Sequence, residues 1–324
     1  MKIIMVIIDG AEASDYKDCT YINKADFKGY INNIPRGRTS ESLSCIMNML
    51  KVPLQYIPKG RAFLESLAKG LNIGDNDIIF RCNNVRVEDN ILKGNKIEDL
   101  SISFGKTGYL YSMDSYKNLL VLHNKKNLIR KIKTYPPHEH FGESLNNILP
   151  SCEDKDTEDF LRDLIYKYSI YPWGESIKTF VPSFEEINGI KGAVVCSTEI
   201  VKGIAKSLKM YCPEIKNTTA DVDTSLEEKL LWTLKLKEDY NFVLLHINGA
   251  DESAHRRNKR EKVDFIKKID EIVIKEISEK IDDNTCLIVT SDHGTSSDSG
   301  AHLKGDVPYY LFNKNEEGEY WLKR

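Results

Sequence analysis

The sequence predicts an α/β fold: a mostly parallel sheet flanked by helices, with a smaller α+β domain inserted into it. Three observations predict this. Short, almost wholly apolar runs occur at Lys2–Ile8, Phe242–Ile247 and Cys286–Thr290, and an unbroken apolar run of this length suits a strand covered on both faces. Helical patterns separate the later runs, and strands alternating with helices favour a layered, largely parallel sheet. Residues 87–182 break that rhythm with short alternating patches such as Leu119–Leu122 and with Pro136-Pro137 and Pro172-Trp173-Gly174 punctuation.

Taken in order, Lys2–Ile8 is the first strand. The run is short and stops at Asp9-Gly10 with no small-residue cleavage site, so a signal peptide is not expected. Gly192–Cys196 is a fourth candidate strand, and Thr198–Lys209 and Ser225–Lys237 are candidate helices. Val263, Ile266, Ile269, Val273, Ile277 and Ile281 recur at helical spacing, with Lys and Glu on the other face. The expected organisation is a discontinuous core, residues 1–86 and 183–324, interrupted by an insert over 87–182.

Composition narrows the function. The chain has 324 residues, with 46 basic against 49 acidic side chains and a net charge of −3. That balance offers no polycation to follow nucleic-acid phosphates. No apolar run approaches the ~18–20 residues of a membrane span. Seven cysteines are scattered through the chain without a C-x-x-C pair, which suits reduced thiols and a cytoplasmic location.

The chemistry gathers at strand ends. Asp9 follows the first strand, Asp251-Glu-Ser-Ala-His255 follows Phe242–Ile247, and Ser291-Asp292-His293-Gly294 follows Cys286–Thr290, with Ala301-His302 beyond. Beyond the carboxyl ends of its strands is where a doubly wound sheet places its site. On a helix, i,i+4 spacing puts Asp251 and His255 on one face. Mixed Asp and His sets bind Mn²⁺, Zn²⁺ or similar ions, and three of each suit two adjacent metals, which clamp attacking and leaving oxygens in phosphoryl transfer. Singly, an Asp after a strand is more often a helix cap or turn residue, and a lone His more often an ordinary hydrogen-bonded residue. His246, inside a strand, is expected in that ordinary class.

At these residues the chain resembles the alkaline phosphatase superfamily, and within it the archaeal-type branch of the cofactor-independent phosphoglycerate mutases. The resemblance is carried by Asp9-Gly, Asp251-x-x-x-His255, Ser-Asp292-His293-Gly and Ala-His302 followed by Asp306-Val-Pro308. Lys59-Gly-Arg61-Ala-Phe-Leu-Glu65, Asp77-Ile-Ile-Phe-Arg81-Cys82-Asn83, Trp173-Gly174, Pro182-Ser-Phe-Glu-Glu186, Gly189–Val194 and Ile200-Val-Lys202-Gly203 extend it in the branch's order.

The resemblance implies an alkaline phosphatase-like core and two divalent ions, Mn²⁺ foremost, with Mg²⁺, Zn²⁺ or Co²⁺ as alternatives. One ion would take Asp251, His255 and His302. The other would take Asp9, Asp292, His293 and a serine nucleophile. The loop Thr39-Ser40-Glu41-Ser42-Leu43-Ser44 supplies the candidates, with Ser40 preferred over Thr39, Ser42 and Ser44. A phosphoserine intermediate and a small phosphorylated substrate follow from the same resemblance. The insert would grip that substrate, with Arg61, Arg81, His138 and Lys202 as candidate anion binders; Arg presents a planar fork suited to carboxylate or phosphate.

The chain departs from the branch in two places. The stretch between Asp9 and the serine loop lacks the branch's TPNLD-type helix. In the insert, Ser115-Tyr116-Lys117-Asn118 and Lys133–His140 replace the branch's His-Arg and Asp-x-Asp-Pro-His segments, leaving His138. Interconversion of 3- and 2-phosphoglycerate is therefore the first expectation. A phosphatase or phosphoester hydrolase for another small phosphorylated or phosphonate substrate is the alternative. A binding protein that has lost turnover is a third reading, separated from both by whether the protein holds divalent metal.

Overall fold

A computed structural model describes residues 2–113, 115–313 and 316–323. The chain divides into two compact units, Met1–Ile57 with Val181–Arg324, and Pro58–Phe180.

The first unit is built on a six-stranded sheet. Its strands are β1 (Lys2–Ile8), β2 (Phe27–Ile31), β3 (Gly192–Val195), β4 (Phe242–Ile247), β5 (Thr285–Thr290) and β6 (Val307–Phe312), in the order β3-β4-β1-β5-β6-β2. The four strands from β3 to β5 run parallel, and β6 and β2 complete one edge antiparallel. The apolar runs are the parallel strands, and β1 lies between β4 and β5 with Ile7 level with both His246 and Thr290. That register brings three strand ends, and the residues just past them, to one edge.

The parallel strands are buried on both faces, as their unbroken apolar sequences require, whereas the edge strand β2 is largely exposed. Ile4, Val6, Ile8, Val243, Leu245, Leu287 and Val289 pack with Phe265, Ile266, Ile269, Val273 and Ile277. Two expected helices form, Glu199–Ser207 and Leu226–Asp239, the second capped by Ser225, whose hydroxyl accepts from the Glu228 amide.

The periodic segment 263–281 is not one uniform α-helix. It runs as an α-helix over Lys259–Ile269, a π-helical turn over Asp270–Ile274, and an α-helix over Lys275–Lys280. Asp270, four residues beyond Ile266 and on the same buried face, is itself buried. Its carboxylate accepts from the amides of Thr20, Tyr21 and Ile22 at 2.7, 2.9 and 2.7 Å. A buried charge is tolerated when it collects several donors in this way.

The second unit is α+β. Its sheet has the order Ile170–Ile177, Ile78–Glu88, Lys117–Leu122, Gly108–Ser112, Ile102–Ser103, all antiparallel, with Ile91–Asn95 paired to the far part of Ile78–Glu88. Lys155–Tyr168 is an amphipathic helix that packs Leu161 and Leu164 against Phe80, Leu120 and Ile170. This unit starts at Pro58, whereas the sequence reading placed residues up to 86 in the core. The reason is the strand Ile78–Glu88. Its first eight residues are buried like a core strand, yet its partners on both sides are antiparallel strands of the second unit.

Asp270→Ala removes the acceptor for three amides at once. Leaving such donors unpaired costs roughly 1–3 kcal/mol each before relaxation, and we expect a net loss of about 3 kcal/mol. Urea unfolding monitored by circular dichroism measures it, and a loss below about 1 kcal/mol would contradict the anchoring role.

Candidate metal centre

The site is assembled at the carboxyl edge of the parallel strands of the first unit. Asp9 leaves the end of β1, and Gly10 follows with φ +73°. A Cβ at Gly10 would meet the Asp251 backbone and carboxylate at 2.8 Å. Glycine is thus required both for the turn and for the close approach of the next ligand segment. The helix Gly249–His255, which follows β4, presents Asp251 and His255 one turn apart. Asp292 and His293 follow β5, and an isolated bridge between Thr295 and His302 brings the last histidine back.

These residues form two sets. Asp251, His255 and His302 offer ligand atoms within 4.8 Å of one another, as do Asp9, Asp292 and His293. The sets adjoin, since the His293 and His302 rings stack with centroids 4.1 Å apart. Of the seven residues proposed as ligands from sequence, the six aspartates and histidines fall into these two groups, and Ser40 is in neither.

The hydrogen-bond pattern aims the imidazoles. His255 Nδ1 donates to the Gly300 carbonyl at 2.7 Å, and His302 Nδ1 donates to the Ser40 carbonyl at 2.7 Å. Carbonyl oxygens only accept, so both rings carry the proton on Nδ1 and turn Nε2 inward. The two Nε2 atoms lie 3.3 Å apart, with Asp251 Oδ2 3.1 Å from that of His255. Two ring nitrogens and a carboxylate at this range need a cation among them. His255 can carry that charge itself: burial opposes its protonation, but the hydrogen bond and charge of Asp251, the Gly300 carbonyl and the charge of Glu252 together outweigh burial and lift it to about 9. Protons and divalent ions therefore compete for this set.

The second set is more deeply buried. Asp9 Oδ1 and both Asp292 carboxylate oxygens are buried with no hydrogen-bond partner. Burial first, then the charges of Asp292 and Asp251, push the Asp9 carboxyl well above its usual range. Unpartnered buried carboxylate oxygens beside an imidazole fit a divalent cation, which would repay their desolvation.

His246 is a residue the sequence reading undervalued. It is fully buried in β4, and its Nε2 donates to Asp9 Oδ2 at 3.1 Å. Burial lowers its pKa to about 4, so the ring is neutral. It holds one Asp9 oxygen and leaves the other turned to Asp292 and His293. Its position in an apolar strand hid this; the only signal was a histidine inside an otherwise apolar run.

The four hydroxyls of the serine loop have different partners. The Ser40 hydroxyl donates to the Leu303 carbonyl at 2.8 Å, and the Ser44 hydroxyl to that of Thr39 at 2.9 Å. Thr39 Oγ1 lies against Glu41. Ser42 opens the helix Ser42–Met49, and its Oγ is 3.2 Å from His293 Nε2. Ser42 thus brings its hydroxyl to His293 Nε2, whereas the Ser40 hydroxyl is turned to the Leu303 carbonyl.

Arg61, Arg81 and His138 lie in the second unit. Glu65, fully buried, pairs with Arg61 at 2.8 Å and Arg81 at 3.2 Å. Burial would raise its pKa, but the two guanidinium groups outweigh that and hold it low. Trp173 joins the group: Arg61 lies 5.8 Å from its ring, His138 stacks edgewise at 5.3 Å, and its indole donates to Asn83. Lys202, in the first unit, is paired with Glu214 at 2.8 Å. The structure thus gathers three of the four predicted anion binders and leaves Lys202 engaged elsewhere.

A parallel sheet that carries two adjoining carboxylate–histidine sets at one edge has the donor set of a metal-binding centre. The chain belongs to the Metalloenzyme superfamily, whose family model matches residues 1–322. A 2,3-bisphosphoglycerate-independent phosphoglycerate mutase of Methanothermobacter thermautotrophicus is 24% identical over 317 residues, covering 87% of this chain and 78% of that protein. One from Methanococcus aeolicus is 28% identical over 300 residues, covering 79% and 72%. Among solved structures, the PH0037 protein from Pyrococcus horikoshii aligns with a TM-score of 0.70 at 20% identity, covering 96% of this chain and 87% of that one. The cofactor-independent phosphoglycerate mutase from Thermoplasma acidophilum aligns at 0.54 and 19% identity, covering 96% and 90%.

His255→Ala and His302→Ala each remove a ligand from the same set. Metal analysis of equilibrated protein should show one bound ion per chain lost or strongly weakened in both variants. Wild-type metal affinity in either would overturn the grouping.

Proposed function

We propose that this protein is a two-metal phosphoryl-transfer enzyme that interconverts 3- and 2-phosphoglycerate by way of a serine-bound phosphoryl group. The observation that carries the reading is the Ser42 hydroxyl standing 3.2 Å from His293 Nε2, at the edge of the set whose Asp9 and Asp292 oxygens lack donors. Divalent ions held by the two sets would supply Lewis-acid neutralisation of phosphoryl oxygens and acidify a serine hydroxyl. The protein's own part is to hold the hydroxyl and the ligands in register. His246 fixes Asp9, Gly300 and Ser40 carbonyls fix His255 and His302, and the start of helix Ser42–Met49 directs amide dipoles toward the forming anion.

In the second unit, two guanidinium groups meet at the Glu65 carboxylate, with Trp173 and His138 close by. That suits the carboxylate end of phosphoglycerate, and it supports the role given to Arg61 and His138. The similarity to phosphoglycerate mutases along most of the chain supports the same substrate class. Scattered free cysteines and the absence of any long apolar helix among the described residues are compatible with a cytoplasmic enzyme.

A hydrolase is the second reading. The observation favouring it is the altered segment Lys133–His140, where the branch's acidic residues are missing. One assay separates the two: 3-phosphoglycerate with Mn²⁺, following 2-phosphoglycerate and inorganic phosphate in the same sample. Conversion without phosphate release is expected; stoichiometric phosphate would select the hydrolase.

Ser42→Ala should lower turnover by at least about three orders of magnitude, the scale seen when a nucleophile is removed, with bound metal retained. Ser40→Ala should cost roughly tenfold at most, because the main-chain carbonyl that orients His302 remains. The reverse ranking would return the nucleophile role to Ser40.

A further inference from the structure

Thr295 is fully buried one residue beyond Gly294, and its hydroxyl touches one member of each metal-ligand set. Oγ1 lies 2.5 Å from Asp251 Oδ1 and 3.3 Å from His293 Nδ1. A hydroxyl has one proton, and a carboxylate only accepts. The Thr295 proton therefore goes to Asp251. The remaining lone pairs face His293 Nδ1, which must then carry the proton and donate. This places the His293 lone pair on Nε2, toward Asp9 Oδ1 at 3.7 Å, Asp292 Oδ2 at 3.4 Å and Ser42.

The hydroxyl is held in place by the backbone around it. The Thr295 amide donates to the Gly10 carbonyl at 2.9 Å, and its carbonyl accepts from Lys262 Nζ at 2.9 Å. Lys262, itself fully buried, is pinned by Asp15 at 2.8 Å. The bridge to His302 closes the remaining side. One residue thus contacts the segments that carry Asp9, Asp251, His293 and His302.

We propose that Thr295 is a positioning residue that couples the two metal sites: it fixes the tautomer of His293 in one and the rotation of Asp251 in the other through a single hydroxyl. The inference rests on the two-metal reading above. Partners behind the ligands typically govern metal affinity by 10- to 100-fold; what is specific here is that one group serves both ions.

Thr295→Val keeps the shape and backbone contacts and removes the hydroxyl. Metal-stripped full-length protein is titrated with Mn²⁺ by calorimetry, and thermal unfolding is recorded without metal. Wild type should bind two ions. Thr295→Val should weaken both by about 10- to 100-fold, and Thr295→Ser should restore both to within about threefold. If Thr295→Val does not fold, Thr295→Ala carries the same expectation. Two ions bound with wild-type affinity in a variant lacking the hydroxyl would overturn the proposal. So would weakening confined to one site, or lowered thermal stability with unchanged binding. A wild-type protein that binds no Mn²⁺, Zn²⁺ or Co²⁺ would overturn the two-metal reading itself, and the role of Thr295 with it.

Discussion

Buried carboxylate oxygens without donors are the constraint around which the first unit is arranged. Asp9 and Asp292 sit at the ends of adjacent parallel strands, where the main chain has no amides left to give them. Their desolvation is costly unless positive charge is brought to them. The surrounding contacts serve that requirement. His246 holds one Asp9 oxygen, Thr295 sets His293, and carbonyls of Gly300 and Ser40 turn the other two imidazoles inward. Each contact is made to the side of a ligand that faces away from the cluster. The result is a set of lone pairs and charges pointing at shared space.

The parallel strands make this possible because their register is fixed by side chains alone. With Ile7 level with His246 and Thr290, the three chains end together. A shift by one residue would send every side chain of a strand to the opposite face and disturb the packing on both buried faces, so the apolar packing that stabilises the sheet also aligns the residues at the strand ends. Local hydrophobic patterning and the geometry of the site are, in this sense, one property.

Much of this was legible in the sequence. The apolar runs correspond to the parallel strands, and the aspartates and histidines that follow them are the ones the fold gathers into two sets, because both patterns are short and local. What was hidden depended on distant partners. Ser40 and Ser42 look alike in sequence; they are told apart by the Leu303 carbonyl and by His293, each more than 250 residues away. His246 looks like a strand residue, and it is one, but Asp9 gives it a second role. Thr295 offered no signal of its own beside the His293 it follows. The boundary expected at residue 86 falls instead at residue 58, because the strand Ile78–Glu88 pairs with distant strands of the second unit, which no local pattern states. The π-helical turn at Asp270–Ile274 escaped for a related reason: the apolar spacing on either side reads as continuous helix.

The ligand segments begin at Asp9 and end at His302, with the central strands and a glycine turn between them. No short stretch of the chain contains either complete set. Metal affinity is therefore a property of the finished tertiary structure, and ion binding and folding draw on the same free energy. By mass action an ion that binds only the native arrangement raises stability in proportion to the logarithm of its concentration over its dissociation constant. In a cell, the supply of divalent metal would then govern how long the folded protein survives as well as how fast it turns over.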